Sequence, residues 1–291
     1  MRVIEKLKEV TEVLKGSGIE FPEKEAEILL RHGLNINTLE IYRDNQELNE
    51  AELMTLKNIL NRRLAHEPLQ YILGYEEFLG LKILIGNGVL IPRPETELLV
   101  EQAIKTVTSY KLQVASKKIS TNSSLVTRYS LLRILDLCTG SGCIALALAR
   151  EFPDAQVYGV DISEVALRYA KRNAEINGIK NATFLKGPLF EPIEKLITLY
   201  TSNIAFDLII SNPPYIKTEE IKSLQPEIKD WEPQIALDGG IDGMDFYREI
   251  IPSARHFLKN NGVIMFELGD SHAEHAGDIF KSSGYTDIRI L

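Results

Sequence analysis

Apolar residues in the first 74 positions recur every three or four. Ile4, Leu7, Val10, Val13 and Leu14 mark one helical face. "EKEAEILLRHGL" predicts a second helix that stops near Gly33, and "NEAELMTLKNILNRRLAHEP" a third that ends before Pro68. Such stripes are what the core of a small bundle requires. At residue 75 the period changes. In "YEEFLGLKILIGNGVLI" (75–91), Gly80 and the Gly86–Gly88 pair punctuate short apolar runs, which predicts a β-hairpin connector. "PRPETELLVEQAIKTV" then opens a helix near Pro94, with Glu95 and Glu97 in the first turn, where the helix dipole favours acids.

From residue 133 the pattern alternates. "RILDLC", "QVYGVD", "ATFLKG", "FDLIIS" and "GVIMFEL" read as strands, separated by helical segments such as "GCIALALAREF", "SEVALRYAKRNAEIN", "GMDFYREIIPSARHFL" and "SHAEHAGDIFKSS". A sixth strand is expected at "YTDIRIL" (285–291). Alternating β and α elements imply an α/β fold with a doubly wound, Rossmann-like parallel sheet. The expected organisation is a helical bundle over 1–74, a hairpin connector over 75–97 and the α/β domain over 98–291. Residues 102–135 carry six Lys or Arg and no acid, and the "ASKKISTNSS" within them is polar. That stretch reads as a surface loop or as a contact to phosphate.

Composition narrows the class. The chain has 291 residues, 44% hydrophobic, with a net charge of -8. That balance argues against gripping a long nucleic-acid duplex, which calls for a basic face. Two cysteines, Cys138 and Cys143, are too few for a disulfide framework and suit a reducing, cytoplasmic setting. The N-terminus is charged and amphipathic rather than a signal peptide, and no apolar run is long enough to span a bilayer. His272 and His275 share a helical face but have too few neighbours to suggest a metal site. Trp231 reads either as a lid aromatic or as the anchor of a packed loop.

Two strand ends carry candidate chemistry. "LDLCTGSGC" puts Gly140 and Gly142 at a strand-to-helix turn, where a backbone can approach a ligand beside free N–H groups. Asp161 closes the next strand, where a carboxylate can accept from both ribose hydroxyls. Taken alone, this is a nucleoside-binding signal that would equally suit a nicotinamide enzyme. "SNPPYIK" breaks the tie. The two prolines end a core strand rigidly. The Asn212 side-chain carbonyl and the Pro213 backbone carbonyl can each accept one N–H of an amide nitrogen, and Tyr215 can pack on a planar group. That is the chemistry of amino-group alkylation.

Glycine turn, Asp161 and Asn212–Pro213–Pro214–Tyr215 together resemble the S-adenosyl-L-methionine-dependent amino-methyltransferases. With "IPRPETE" (91–97), "EPQIALDGGIDGMDFYREI" (232–250) and the helical N-terminus, nearly the whole chain resembles the release factor glutamine methyltransferase family, often called PrmC or HemK. The same motif also marks adenine and guanine methyltransferases of DNA and RNA. The family resemblance implies methylation of the glutamine of the Gly-Gly-Gln motif in class 1 peptide chain release factors, leaving S-adenosyl-L-homocysteine. It implies that Cys138, Thr139, Gly140, Ser141 and Gly142 hold the methionine end of the cofactor, with Asp136 behind them. It places Asp161 on the ribose, Leu189 near the adenine, and Asn212, Pro213, Pro214 and Tyr215 on the glutamine amide. The segment from Leu90 to Glu97, with Leu90, Arg93 and Glu95 on the substrate side, would line the rim of the active site. A monomer is expected, without metal or membrane attachment. Two departures stand out. "LKGPLF" puts Pro188 and Leu189 where the family often has an acid and an aromatic, and the family continues into a seventh, antiparallel strand.

Overall fold

The computed structural model describes residues 1–119, 132–200 and 204–290. They fall into two compact units, Met1–Tyr75 with Gln225–Trp231, and Glu76–Leu224 with Glu232–Leu291.

The first unit contains α1 (Val3–Gly16), α2 (Pro22–Leu34), a π-helical turn at Glu40–Asp44, α3 (Glu50–Leu64) and α4 (Leu69–Leu73). Asn49 starts α3 with a reciprocal cap: its side chain accepts from Glu52 N at 3.0 Å, and Glu52 accepts from Asn49 N at 2.8 Å. Val10, Leu14, Leu29, Leu30, Ile41 and Leu56 form the buried core. The segment Gln225–Trp231, distant in sequence, contributes a short helical turn, Pro226–Lys229. Arg63 ties it in. Its guanidinium, only 6% exposed, donates to Glu25 at 2.6 Å and to Glu227 at 3.0 Å.

The second unit starts at Glu76, one residue into the hairpin of β1 (Tyr75–Phe78) and β2 (Leu81–Leu84), and continues with α5 (Pro94–Ile119). The helix runs through Ala115–Ile119, where a loop was expected, because neither Gly nor Pro interrupts it. The rest of that polar stretch, 120–131, lies outside the described residues. There follow β3 (Arg133–Leu137), α6 (Cys143–Glu151), β4 (Gln156–Asp161), α7 (Glu164–Ile176), β5 (Ala182–Lys186), α8 (Glu191–Tyr200), β6 (Phe206–Ser211), α9 (Asp245–Ala254), β7 (Leu258–Phe266) and α10 (Ala273–Ser282). The five strands pair in parallel in the order β5-β4-β3-β6-β7. Strand order therefore reverses between β3 and β6, where a doubly wound sheet opens a crevice. The central strands are apolar on both faces, as helices on both sides demand: Ile134, Leu135, Leu208, Ile209 and Ile210 are fully buried.

The expected strand at 285–291 is absent among the described residues. Asp287 has φ +60, a left-handed conformation that breaks an extended run. The Arg255 guanidinium meanwhile holds the carbonyls of Ser283 and Gly284.

Candidate active site

Parallel register builds the site. Leu137 pairs with Val160 on one side and Ser211 on the other, and Ser211 pairs with Phe266. The residues that follow, Cys138, Asp161, Asn212 and Glu267, therefore stand in a row beyond the carboxyl ends of four adjacent strands. Ser211 fastens two of these ends by donating from Oγ to Leu137 O at 2.7 Å. A cleft of about 1180 Å³, counting its open mouth, lies over the row. Leu90, Arg93, Cys138, Thr139, Gly140, Ser141, Asp161, Leu189, Asn212 and Pro214 all line it.

Five of the expected site residues lie elsewhere. Asp136 is fully buried beneath the glycine turn, where Oδ2 accepts from Thr139 Oγ1 at 2.5 Å and Ala145 N at 3.2 Å. Its Oδ1 has no hydrogen-bond partner among the described residues. Burial pushes this carboxyl up to about 7. Gly142 is the N-cap of α6 rather than a wall of the cleft. A Cβ there would meet Ala170 Cβ at 3.0 Å and Phe184 at 3.1 Å, so it is a packing glycine. Pro213 is buried behind the wall, Glu95 is exposed, and Tyr215 turns toward Glu267. Burial and the Glu267 charge push the Tyr215 phenol up to about 12, which makes it a hydrogen-bond donor rather than a base.

Gly140 behaves differently from Gly142. At φ +55 a Cβ would meet only Cys138 O, at 4.0 Å, so the turn is open to a ligand. Asp161 fixes that turn: Oδ2 accepts from Gly140 N and Oδ1 from Ser163 N, both at 2.8 Å. Burial holds its carboxyl above the ordinary range. Among the described residues, Arg93 is the only Lys or Arg lining the cleft, against the carboxylates of Asp161 and Glu249. A cationic ligand suits such a wall.

The rim is held from two sides. Asn173, fully buried on α7, bonds the β2 backbone in both directions, accepting from Leu84 N at 2.7 Å and donating to Leu84 O at 3.1 Å. It also donates to Ser141 O at 2.9 Å, which links hairpin and glycine turn. Glu232, 1% exposed, accepts from the Arg93 guanidinium and from Ile91 N at 3.3 Å. Burial raises its carboxyl, and Arg93 opposes the shift.

Sequence reasoning held Thr96 only as one position of the 90–97 rim, without its role, and missed Glu267 and the roles of Asn173 and Glu232. Glu267 had a signal: like Asp161, it closes an apolar strand run with an acid. Thr96 Oγ1 donates to Glu267 Oε2 at 2.6 Å, and Tyr215 OH to Glu267 Oε1 at 3.2 Å. Asn212 Nδ2 donates to Thr96 Oγ1 at 3.1 Å. Burial keeps the Glu267 carboxyl above its ordinary value despite these donors. His272 is buried against Tyr247, and among the described residues no three His, Cys, Asp or Glu gather into a metal-binding group.

Known proteins resemble the chain over its whole length. The PrmC N-terminal domain family matches residues 5–74, and the Methyltransferase domain family residues 129–286. The release factor glutamine methyltransferase of Thermodesulfovibrio yellowstonii is 42% identical over 291 residues, covering 100% of this chain and 94% of that protein. That of Geobacter sulfurreducens is 40% identical over 94% of this chain and 86% of its own. Among solved structures, a ribosomal protein L11 methylase from Lactobacillus delbrueckii subsp. bulgaricus aligns over 72% of this chain and 79% of its own, at 18% identity and a TM-score of 0.45. With identity sustained across both units at this level, the chain belongs to the release factor glutamine methyltransferase family.

Proposed function

We infer that this chain transfers a methyl group from S-adenosyl-L-methionine to the side-chain amide nitrogen (N5) of the glutamine in the Gly-Gly-Gln motif of class 1 peptide chain release factors. Membership of the family supports the reaction. The observation that carries it to particular residues is the registered row of Asp161, Cys138 and Asn212 along one cleft.

The residues present fit the cofactor. The glycine turn is open at Gly140, Asp161 faces the cleft with lone pairs beyond those taken by Gly140 and Ser163, and Asp136 keeps one buried oxygen unpartnered below. In this reading Cys138 to Ser141 hold the methionine end, and Asp161 accepts from the ribose hydroxyls. Leu189 and Pro188 line the adenine side without a carboxylate. When bound, the cofactor supplies an electrophilic methyl on a sulfonium. The chain's own task is to present a poor nucleophile to it. Asn212 Oδ1 would accept one amide N–H of the substrate glutamine from the cleft wall; the second acceptor in this reading is the Pro213 backbone carbonyl, although the Pro213 ring itself is buried. Both would fix the nitrogen and favour the positive charge that methylation places on it. The amide proton leaves to solvent as or after the bond forms, so the step needs no strong base. Arg93, held by Glu232, shapes the entrance from the rim.

The helical unit recognises the body of the release factor, and the second unit carries the chemistry. The enzyme works as a monomer in the cytoplasm, where its two free cysteines stay reduced and translation factors are present. The test is incubation with labelled cofactor, a purified release factor and a pool of DNA and RNA. Label on the Gly-Gly-Gln glutamine is the expected result. Label in the nucleic acid, or none on the factor, overturns the reading.

A further inference from the structure

The Asn212 amide has two ends of similar shape and opposite chemistry. Only the oxygen end can accept an N–H from a substrate amide. If the group rotated by half a turn, its own NH₂ would face the substrate NH₂, donor against donor. Some feature of the protein must choose the end.

We propose that Thr96 and Glu267 are positioning residues that orient the Asn212 amide, so that Oδ1 and not Nδ2 faces the cleft; this rests on the glutamine-methylation reading above. The argument is a proton count along a chain of hydrogen bonds. The Glu267 carboxylate, when ionised, can only accept. Thr96 has a single hydroxyl proton, and at 2.6 Å it goes to Glu267 Oε2. The Thr96 oxygen therefore presents only lone pairs to Asn212, 3.1 Å away. Only the NH₂ end of the Asn212 amide can satisfy a lone pair. The carboxylate thus sets the direction of both bonds, and Oδ1 is left for the cleft. Thr96 is 2% exposed, so water has little access to replace either bond.

The same carboxylate holds the other end of the motif. Tyr215 OH donates to Glu267 Oε1 at 3.2 Å. The main chain of Glu267, from which the carboxylate projects, is held on both sides: Glu267 N donates to Ser211 O at 3.1 Å, and Tyr247 OH donates to the Glu267 carbonyl O at 2.8 Å. One buried acid beyond β7 thereby anchors Tyr215 and Asn212 together, the latter both through Thr96 on α5 and by a direct interaction of its amide with the carboxylate.

A double-mutant cycle tests the idea on the full chain, read as single-turnover methylation of a release factor at saturating cofactor. Thr96→Val keeps the shape and removes the hydroxyl. It should slow turnover roughly 10–100-fold, the scale of a misaligned reacting group. Cofactor affinity, measured by calorimetry, should stay within about 2-fold, because the Gly140 turn and Asp161 are untouched. Thr96→Ser restores the hydroxyl and should recover most of the rate. In an Asn212→Ala background, slowed roughly 10²–10³-fold by loss of a polar partner, Thr96→Val should have no further effect. Glu267→Gln, which can donate to Thr96 and so reverse the chain, should resemble Thr96→Val and likewise add nothing once Asn212 is gone. If Thr96→Val folds poorly, the Ser and Gln variants still decide the matter. A full rate in Glu267→Gln, or equal penalties with and without Asn212, overturns the proposal. Failure of the wild-type enzyme to methylate the factor would instead overturn the functional reading, so the two failures are distinct.

Discussion

Arg93 and Glu232, 139 positions apart in sequence, form a half-buried ion pair at the rim of the cleft. Glu232 also accepts from Ile91 N at 3.3 Å, so one carboxylate organises both ends of the "IPR" turn. The pair joins the stretches around residues 91–97 and 232–250: one supplies the cation, the other the acid that holds it.

Removing the cation should therefore cost more than removing the charge of the acid. Arg93→Ala leaves Glu232 buried and unpaired. Loss of a partner from a fully buried pair costs about 3–5 kcal/mol, and roughly 2–4 kcal/mol is expected here because Arg93 is 30% exposed. Glu232→Gln retains an acceptor for Ile91 N and should cost less than Arg93→Ala. Acidification should narrow the gap, because an unpaired Glu232 can take a proton. Urea denaturation of both variants at two pH values checks this, and a gap that widens as pH falls would count against it.

Asp161 has two tasks in the same place, and its variants should separate them. Asp161→Ala removes the acceptor for Gly140 N as well as the proposed ribose contact. Cofactor binding should weaken by roughly 1.5–3 kcal/mol, the range for a hydrogen bond to a charged group. Asp161→Asn keeps one carbonyl oxygen and should lose less. Calorimetric affinities equal to wild type in the alanine variant would remove Asp161 from the site.

Much of this was legible in the sequence because strand ends announce themselves. Asp161 and Asn212 each follow an apolar run, and a polar residue at such a position points beyond the sheet into the crevice. Glu267 follows the apolar run "GVIMF" in the same way. Its place beside Asn212 depends on the pairing of Ser211 with Phe266, and strand order and register are not written in any local pattern. Gly140 and Gly142 look equivalent in a glycine turn, yet one opens on the cleft and the other seats a helix against Ala170. "YTDIRIL" has strand periodicity, but the left-handed Asp287 and the hold of Arg255 on the preceding turn override it. Likewise, Gln225–Trp231 joins the helical unit through Arg63, a contact spanning 164 positions that no window of sequence reveals.

That last contact yields a prediction about the helical unit. Arg63 neutralises Glu25 and Glu227 together and is almost wholly buried. Arg63→Met should destabilise the unit by roughly 1–3 kcal/mol, less than the cost of breaking a fully buried pair, because Glu25 and Glu227 are partly exposed and Glu227 keeps His66 at 3.1 Å. Glu227→Gln should be milder, because Glu25 still pairs with Arg63. Limited proteolysis gives the sharper readout: Arg63→Met should expose Gln225–Trp231 to cleavage, while cofactor affinity holds. If the segment stays as resistant as in wild type, Arg63 is not what fastens it.

The buried Asp136 carboxyl should make both stability and cofactor affinity depend on pH, in opposite directions. Burial moves it from 3.8 to about 7 in the folded protein. Between those values the folded chain keeps a proton that the unfolded chain has lost, so unfolding releases one. Stability from this group therefore falls as pH rises across the window and levels off above about 7. A cationic ligand reverses the balance, because it favours the ionised carboxylate. Cofactor affinity should rise with pH over the same window, with a proton released on binding. Asp136→Asn keeps an acceptor for Thr139 and Ala145 but cannot titrate. It should flatten the fall in stability and reduce the pH dependence of binding, while Asp161, also raised by burial, keeps its own contribution. Thermal unfolding across pH, with calorimetry in two buffers of different ionisation enthalpy, measures both slopes. Identical slopes in wild type and Asp136→Asn would show that Asp136 stays in one protonation state throughout and that its unpartnered oxygen does not answer to the ligand's charge.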